Sequence, residues 1–152
     1  MKILYINQAK PNPSGKDRLG MYTPPSQLTG EWVDFKNIGD EAYPLENIQL
    51  WHIAYPTRSW KVVSRFSGAL PVGKIIRVHS GRKINLSEMP LVDRQGAHYH
   101  IFTNQNYVWN NSYSDSPHLH DVVKRIKVDE ATYDAYPPEG RILVRVSNNK
   151  LA

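Results

Sequence analysis

Cysteine is absent from all 152 residues, which excludes a disulfide framework and any thiol chemistry. Long apolar runs are absent too: none approaches the roughly 18 residues that a membrane span needs. Nor does the beginning read as a secretory leader, because Lys2-Ile3-Leu4-Tyr5-Ile6 is too short for an h-region and polar Asn7 and Gln8 follow. These absences set the expectation of a cytoplasmic chain, or of a secreted one if it was cut from a longer precursor. The signatures of catalysis are missing as well. There is no G-x-S-x-G, so Ser80-Gly81 reads as a turn rather than a nucleophile elbow. There is no glycine-rich phosphate loop and no dinucleotide fingerprint. Glu31, Asp115 and Asp121 lack the spacing of paired acid/base carboxylates. The expectation is a protein that is not an enzyme and carries no cofactor. Helical spacing is nearly absent: Lys124–Tyr133 comes closest, and its β-branched content argues against a helix. No repeat, low-complexity tract or coiled-coil heptad is visible.

What is present describes a globular chain. Hydrophobic residues make up 40% and charged residues 22%, enough for one domain over residues 1–152 with its own core. Nine Tyr and four Trp favour strands, and eleven Pro and nine Gly punctuate them. The organising stretch runs from Gly30 to Leu50. It reads as a strand over Glu31–Lys36, a turn over Asn37–Asp40, and a second strand over Asn47–Ala54. Alternation sends Val33 and Phe35 to one face and Trp32, Asp34 and Lys36 to the other, where Asp34 is expected to be solvated. Further strands are expected at Met1–Ile6, Trp60–Phe66, Lys74–His79, Tyr107–Trp109, from Leu119 to Val128, and at Ile142–Val146. Tyr55-Pro56-Thr57 breaks the second strand of the organising stretch. Ala9–Thr29 reads as a long surface loop, and Arg82–Gln105 as an excursion with a short hairpin around Asp93-Arg94-Gln95-Gly96. About seven to nine short strands with turns between them point to a sandwich or barrel.

An ordered set of pieces then resembles a known family. It comprises Glu31-Trp-Val-Asp-Phe-Lys-Asn37 with its Gly39-Asp40 turn, Leu45, Leu50, Leu70-Pro-Val-Gly73, Val78-His-Ser-Gly81, Trp109-Asn110, Asp115 and Leu119-His-Asp121. Together with the early Asn12-Pro13, these are similar to the lamin-tail domain, the module at the end of nuclear lamins that is found also in bacterial proteins. The likeness covers about Met1 to Asp121, and Val122–Ala152 resembles the closing part of some bacterial members. The long Arg82–Gln105 segment departs from the pattern. The resemblance implies an all-β, immunoglobulin-like β-sandwich of two packed sheets. It also implies a small non-catalytic module, of a kind implicated in lamins in contacts with proteins and DNA.

Three side-chain sets could carry a function. His98-Tyr99-His100 and His118-Leu119-His120 are H-x-H pairs, with Asp121 adjacent to the second and Asp115 near it. On a strand, each pair shares a face and could offer two imidazoles to a zinc or nickel ion; the alternative is surface histidines flanking a turn. His52 and His79 read as packing or solvent-facing. The net charge of +5 permits attraction to nucleic acid or anionic surfaces. Trp51, Trp60, Lys61 and Arg65 lie on neighbouring strands, and Arg77, Arg82 and Lys83 cluster in sequence, so that stacking plus phosphate neutralisation is available. The alternative has the tryptophans in the core and the cations guarding strand edges. The third set is the loops Pro11–Thr29 and Arg82–Gln105, since loops carry recognition on rigid scaffolds. The expected function is a non-enzymatic interaction module that binds a protein partner through loops and sheet edges. A nucleic-acid-binding module using Lys61, Arg65, Arg77, Arg82 and Lys83 comes second. A metal-dependent hydrolase using His98, His100, His118 and His120 comes third.

Overall fold

Period-two patterning with frequent turn residues leaves little alternative to sheet, and a computed structural model describing residues 1–152 is built of strands. In chain order these are β1 (Leu4–Lys10), β2 (Trp32–Asn37), β3 (Tyr43–Pro44), β4 (Ile48–Ala54), β5 (Ser59–Arg65), β6 (Ala69–Leu70), β7 (Ile75–His79), β8 (Tyr99–Phe102), β9 (His118–Asp121), β10 (Ile126–Glu130), β11 (Leu143–Ser147) and β12 (Lys150–Leu151). Two four-residue helices, α1 (Pro25–Leu28) and α2 (Leu91–Arg94), interrupt them. The count of twelve exceeds the seven to nine expected. Nine strands have four residues or more, and β3, β6 and β12 have two each, too few to show an alternation. No helix is long and apolar enough to cross a membrane.

The strands form a six-stranded sheet in the order β12-β11-β1-β2-β7-β8, a four-stranded sheet β10-β9-β4-β5, and the small pair β3-β6. Pairing is antiparallel except between β7 and β8. The organising stretch corrects the hairpin that the sequence suggests: β2 and β4 belong to different sheets. Asn37 sets the departure. Its Oδ1 accepts from the Gly39 N–H at 2.9 Å, and its Nδ2 donates to the carbonyls of Glu41 and Leu70. The chain therefore turns out of the first sheet and crosses by way of β3 to the second.

One cluster of 19 buried residues fills the space between the sheets. Leu4, Ile6, Ala9, Val33, Phe35, Ile76 and Val78 come from the first sheet, and Ile48, Leu50, Val63 and Leu119 from the second. Phe35 meets Phe66 edge-on at 5.1 Å, a favoured aromatic geometry. Trp109 and Tyr133 are part of the same cluster.

β1 continues past Ile6 to Lys10, into what reads as loop. Its register shifts between Ile6 and Gln8, and the bulge turns both Ile6 and Ala9 inward. Part of the following segment is tied down rather than free, since Pro11, Pro13 and Thr29 are buried. Residues 107–109 are not a strand, because the Val108 and Trp109 N–H groups donate to the Glu31 carboxylate instead of to a ladder. The hairpin expected at residues 93–96 is also corrected: Asp93 and Arg94 end α2, and Gly96 follows at φ +89°.

Candidate interaction surface

The register of β4 decides which side chains leave the core. Ile48 and Leu50 point inward, so Gln49, Trp51 and Ile53 face out. On β9, His118 sits opposite Trp51 and His120 opposite Gln49. On β10, Lys127 lies opposite His120 and Glu130 opposite His118. On β5, Arg65 pairs with Gln49, Val62 with Trp51 and Trp60 with Ile53. The outer face of the four-stranded sheet is therefore a band of indole and imidazole rings with cations at its ends.

These rings occupy one another. Trp51 stacks on His120 at 4.1 Å and on His118 at 5.3 Å, nearly parallel in both cases, and Trp60 leans on His118 at 4.6 Å. The Trp51 Nε1–H donates to Gln49 Oε1 at 2.9 Å. His118 Nδ1 lies 3.0 Å from Glu130 Oε1 and its Nε2 lies 3.2 Å from His120 Nδ1. The carboxylate fixes the proton on His118 Nδ1, which leaves Nε2 to accept from His120. Burial pushes the His118 pKa down, against the pull of Glu130.

β5 is the rim of this face. It pairs with β4 on one side and with no strand on the other. Val63 is an extra residue, because Leu50 pairs with Ser64 and Trp51 with Val62. Gln105 reaches this edge from outside the sheet: its Nε2 donates to the Val63 carbonyl at 3.3 Å. Arg58, Lys61 and Arg65 are exposed along this rim and take no part in the ion pairs of the protein. Trp60 is 41% exposed. Residues 47–87 contain seven Lys and Arg and no Asp or Glu, so the positive charge of the chain is concentrated in the stretch that contains this edge.

Arg77 is the exception within that stretch and corrects its assignment as a nucleic-acid contact: it is 1% exposed. Its Nε and Nη2 donate to the two Asp34 oxygens at 2.8 Å, and its Nη1 donates to the carbonyls of Asp93 and Gln95. The guanidinium lies 3.7 Å over the Trp32 ring. Asp34, expected in solvent, is fully buried. Burial raises its pKa, while Arg77 and the Gln8 amide pull it down. Asp93 accepts from Trp32 Nε1 at 2.9 Å and pairs with the buried Lys10 ammonium. Two cations and two carboxylates thus close a neutral network, and it clamps the segment around α2 onto the outer face of the six-stranded sheet.

The remaining candidates are dispersed. Arg82 and Lys83 are exposed just past β7. The His98–His100 pair is divided: exposed His98 accepts the Ile75 N–H at its Nδ1, whereas His100 Nδ1 lies 2.8 Å from His79 Nε2. His118 and His120 are bonded to each other. No three His, Asp or Glu side chains are grouped so as to hold a metal ion.

Sequence reasoning misses several buried groups that shape this side of the molecule. Asp115 accepts the N–H groups of Ile53 and Ser116 at Oδ1, and those of Asn110 and His52 Nδ1 at Oδ2, so all of its acceptor sites are filled. Glu31 accepts from Ser80, Val108 and Trp109, and burial pushes its pKa up to about 8. His79 donates from Nδ1 to the Thr29 carbonyl at 2.6 Å, and burial pushes its pKa down to about 3. Glu31 and Asp115 spend most of their hydrogen bonds on the backbone of residues 53, 108–110 and 116 and so hold that segment against the strands, while His79 ties down the Thr29 carbonyl. Only the places of Glu31, His79 and Asp115 within the resembled pattern hint at this in the sequence. No protein-family model matches this chain, and no curated protein matches it.

Proposed function

We propose that the chain is a non-enzymatic interaction module, an immunoglobulin-like β-sandwich of lamin-tail type, that binds a protein partner through the open edge of its four-stranded sheet and the loop beside it. Two sheets enclosing one core, with the resembled pieces in order along the chain, support the fold reading. The observation that carries the binding reading is the β5 rim: unpaired backbone, two unpartnered cations and a half-open indole on one strand, with Arg58 in the turn that leads into it. Edge backbone is a ready template for another chain.

Nucleic-acid binding is the second reading, favoured by Trp60 standing beside Lys61 and Arg65. It is the weaker one. Base stacking needs open ring faces, and the Trp51 ring is stacked against imidazoles.

Panning a display library of random peptides against the immobilised chain, with fluorescent oligothymidylate titrated in parallel, separates the two. The expected outcome is enriched peptides that the K61E/R65E variant no longer retains. Oligothymidylate binding that falls steeply with salt, with no peptide enrichment, overturns the reading.

A further inference from the structure

We infer that the occupant of the β5 rim is an acidic, extended peptide segment that adds to the four-stranded sheet as a fifth strand. This rests on the reading of the protein as an interaction module and names the chemistry of its partner.

The edge itself calls for a strand. β5 has seven residues and one neighbour, so its outer N–H and C=O groups face solvent where a peptide backbone would satisfy them. β8, the edge of the other sheet on this side, has four residues and runs beside the segment at residues 83–86.

Charge then selects the occupant. Arg58, Lys61 and Arg65 line the rim, and no carboxylate occurs between residues 47 and 87. A second copy paired edge to edge would set these cations against their own duplicates with nothing to offset them, which disfavours self-association. On an added strand an acid on the outer face meets Arg65 and an acid on the opposite face meets Lys61, while an apolar residue on the outer face covers Trp60 and Val62. Nucleic acid would meet the same charges but leave the edge backbone unpaired.

Gln105 is the device that closes the rim when it is empty. Its amide donates to the outward Val63 carbonyl, the group to which an incoming strand would bring its own N–H. The side chain therefore competes with the occupant, and Gln105→Ala should tighten binding roughly threefold, the worth of about one net hydrogen bond.

The test uses the whole chain and a capped synthetic peptide of glutamate and valine that carries glutamate on both faces of the added strand, with binding read by tryptophan fluorescence and amide hydrogen exchange. The expected result is saturable binding that slows exchange in residues 59–65, weakens at least tenfold in K61E/R65E, tightens in Gln105→Ala, and is lost when alternate peptide nitrogens are methylated. Exchange in the unsubstituted chain keeps the outcome decisive even if the double variant misfolds. No binding, equal binding of the methylated peptide, or slowed exchange elsewhere overturns the inference. If panning recovers non-acidic peptides that protect other amides, this inference falls and the module reading stands. If oligothymidylate alone binds, both fall.

Discussion

Arg77 carries more of the architecture than its place in a basic cluster suggests. It is buried, forked onto Asp34, bonded to two carbonyls near α2 and laid over Trp32. Removing one member of such a network strands an uncompensated charge, at a cost of about 3–5 kcal/mol. Arg77→Ala should therefore lower the stability by about that amount in denaturant unfolding. Arg77→Lys should recover little of it, because an ammonium cannot make the two-pronged contact or the flat stack on indole. A change within about 0.5 kcal/mol for the alanine variant would mean that the network is dispensable. The sequence shows Asp34 and Arg77 on alternating strands, but not that both face the covered side. That depends on where residues 82–97 come to rest, which is a long-range fact. Trp51, Trp60, Lys61 and Arg65 are legible together because their closeness follows from two adjacent strands.

Among the elements, those with unbroken alternation are readable: β4, β5, β7 and β11 lie close to the ranges that the residues suggest. β1 is not, because its bulge changes the inward parity midway. The pairing of β2 is not readable either, since alternation gives a strand its faces but not its neighbours. Gly39 marks the point where the chain leaves the first sheet, and it does so for want of room: a Cβ there would lie 2.2 Å from the Met1 carbonyl oxygen and 2.8 Å from the Ile3 nitrogen. The Asp40 and Ile38 N–H groups donate to the Met1 and Ile3 carbonyls, so a side chain pushes these partners apart. Gly39→Ala should destabilise by on the order of 1–3 kcal/mol. It should also speed hydrogen exchange at Ile38 and Asp40 well before it affects β4. Unchanged exchange at those two amides would show that the terminal residues yield freely.

At the scale of the whole molecule, two buried groups titrate in opposite directions and together shape stability against pH. The folded chain holds the Glu31 proton up to about pH 8, where an exposed glutamate releases it near 4.5. The unfolded state thus binds fewer protons across that window, and stability falls as pH rises through it, by on the order of a few kcal/mol in all. Asp34, shifted in the same direction, acts on the same side. His79 does the reverse. It stays neutral down to about pH 3 against an ordinary 6.5, so stability is full above 6.5 and is lost as pH falls through the window below. His100 and His118, also lowered by burial, add to that side. Between about 4.5 and 6.5 the opposing slopes offset each other, which places the stability maximum on the acid side of neutrality despite the basic charge of the chain. Glu31→Gln isolates the alkaline limb: its amide oxygen can still accept from Val108 and Trp109, and there is no proton to lose. Denaturant unfolding from pH 4 to 9 should then show the variant rising between about pH 4.5 and 6.5, where the unsubstituted chain is flat, and level above about pH 6.5, where the unsubstituted chain declines. If the two decline in parallel above pH 6, the loss arises from another group, and the Glu31 carboxyl is ionised in the fold.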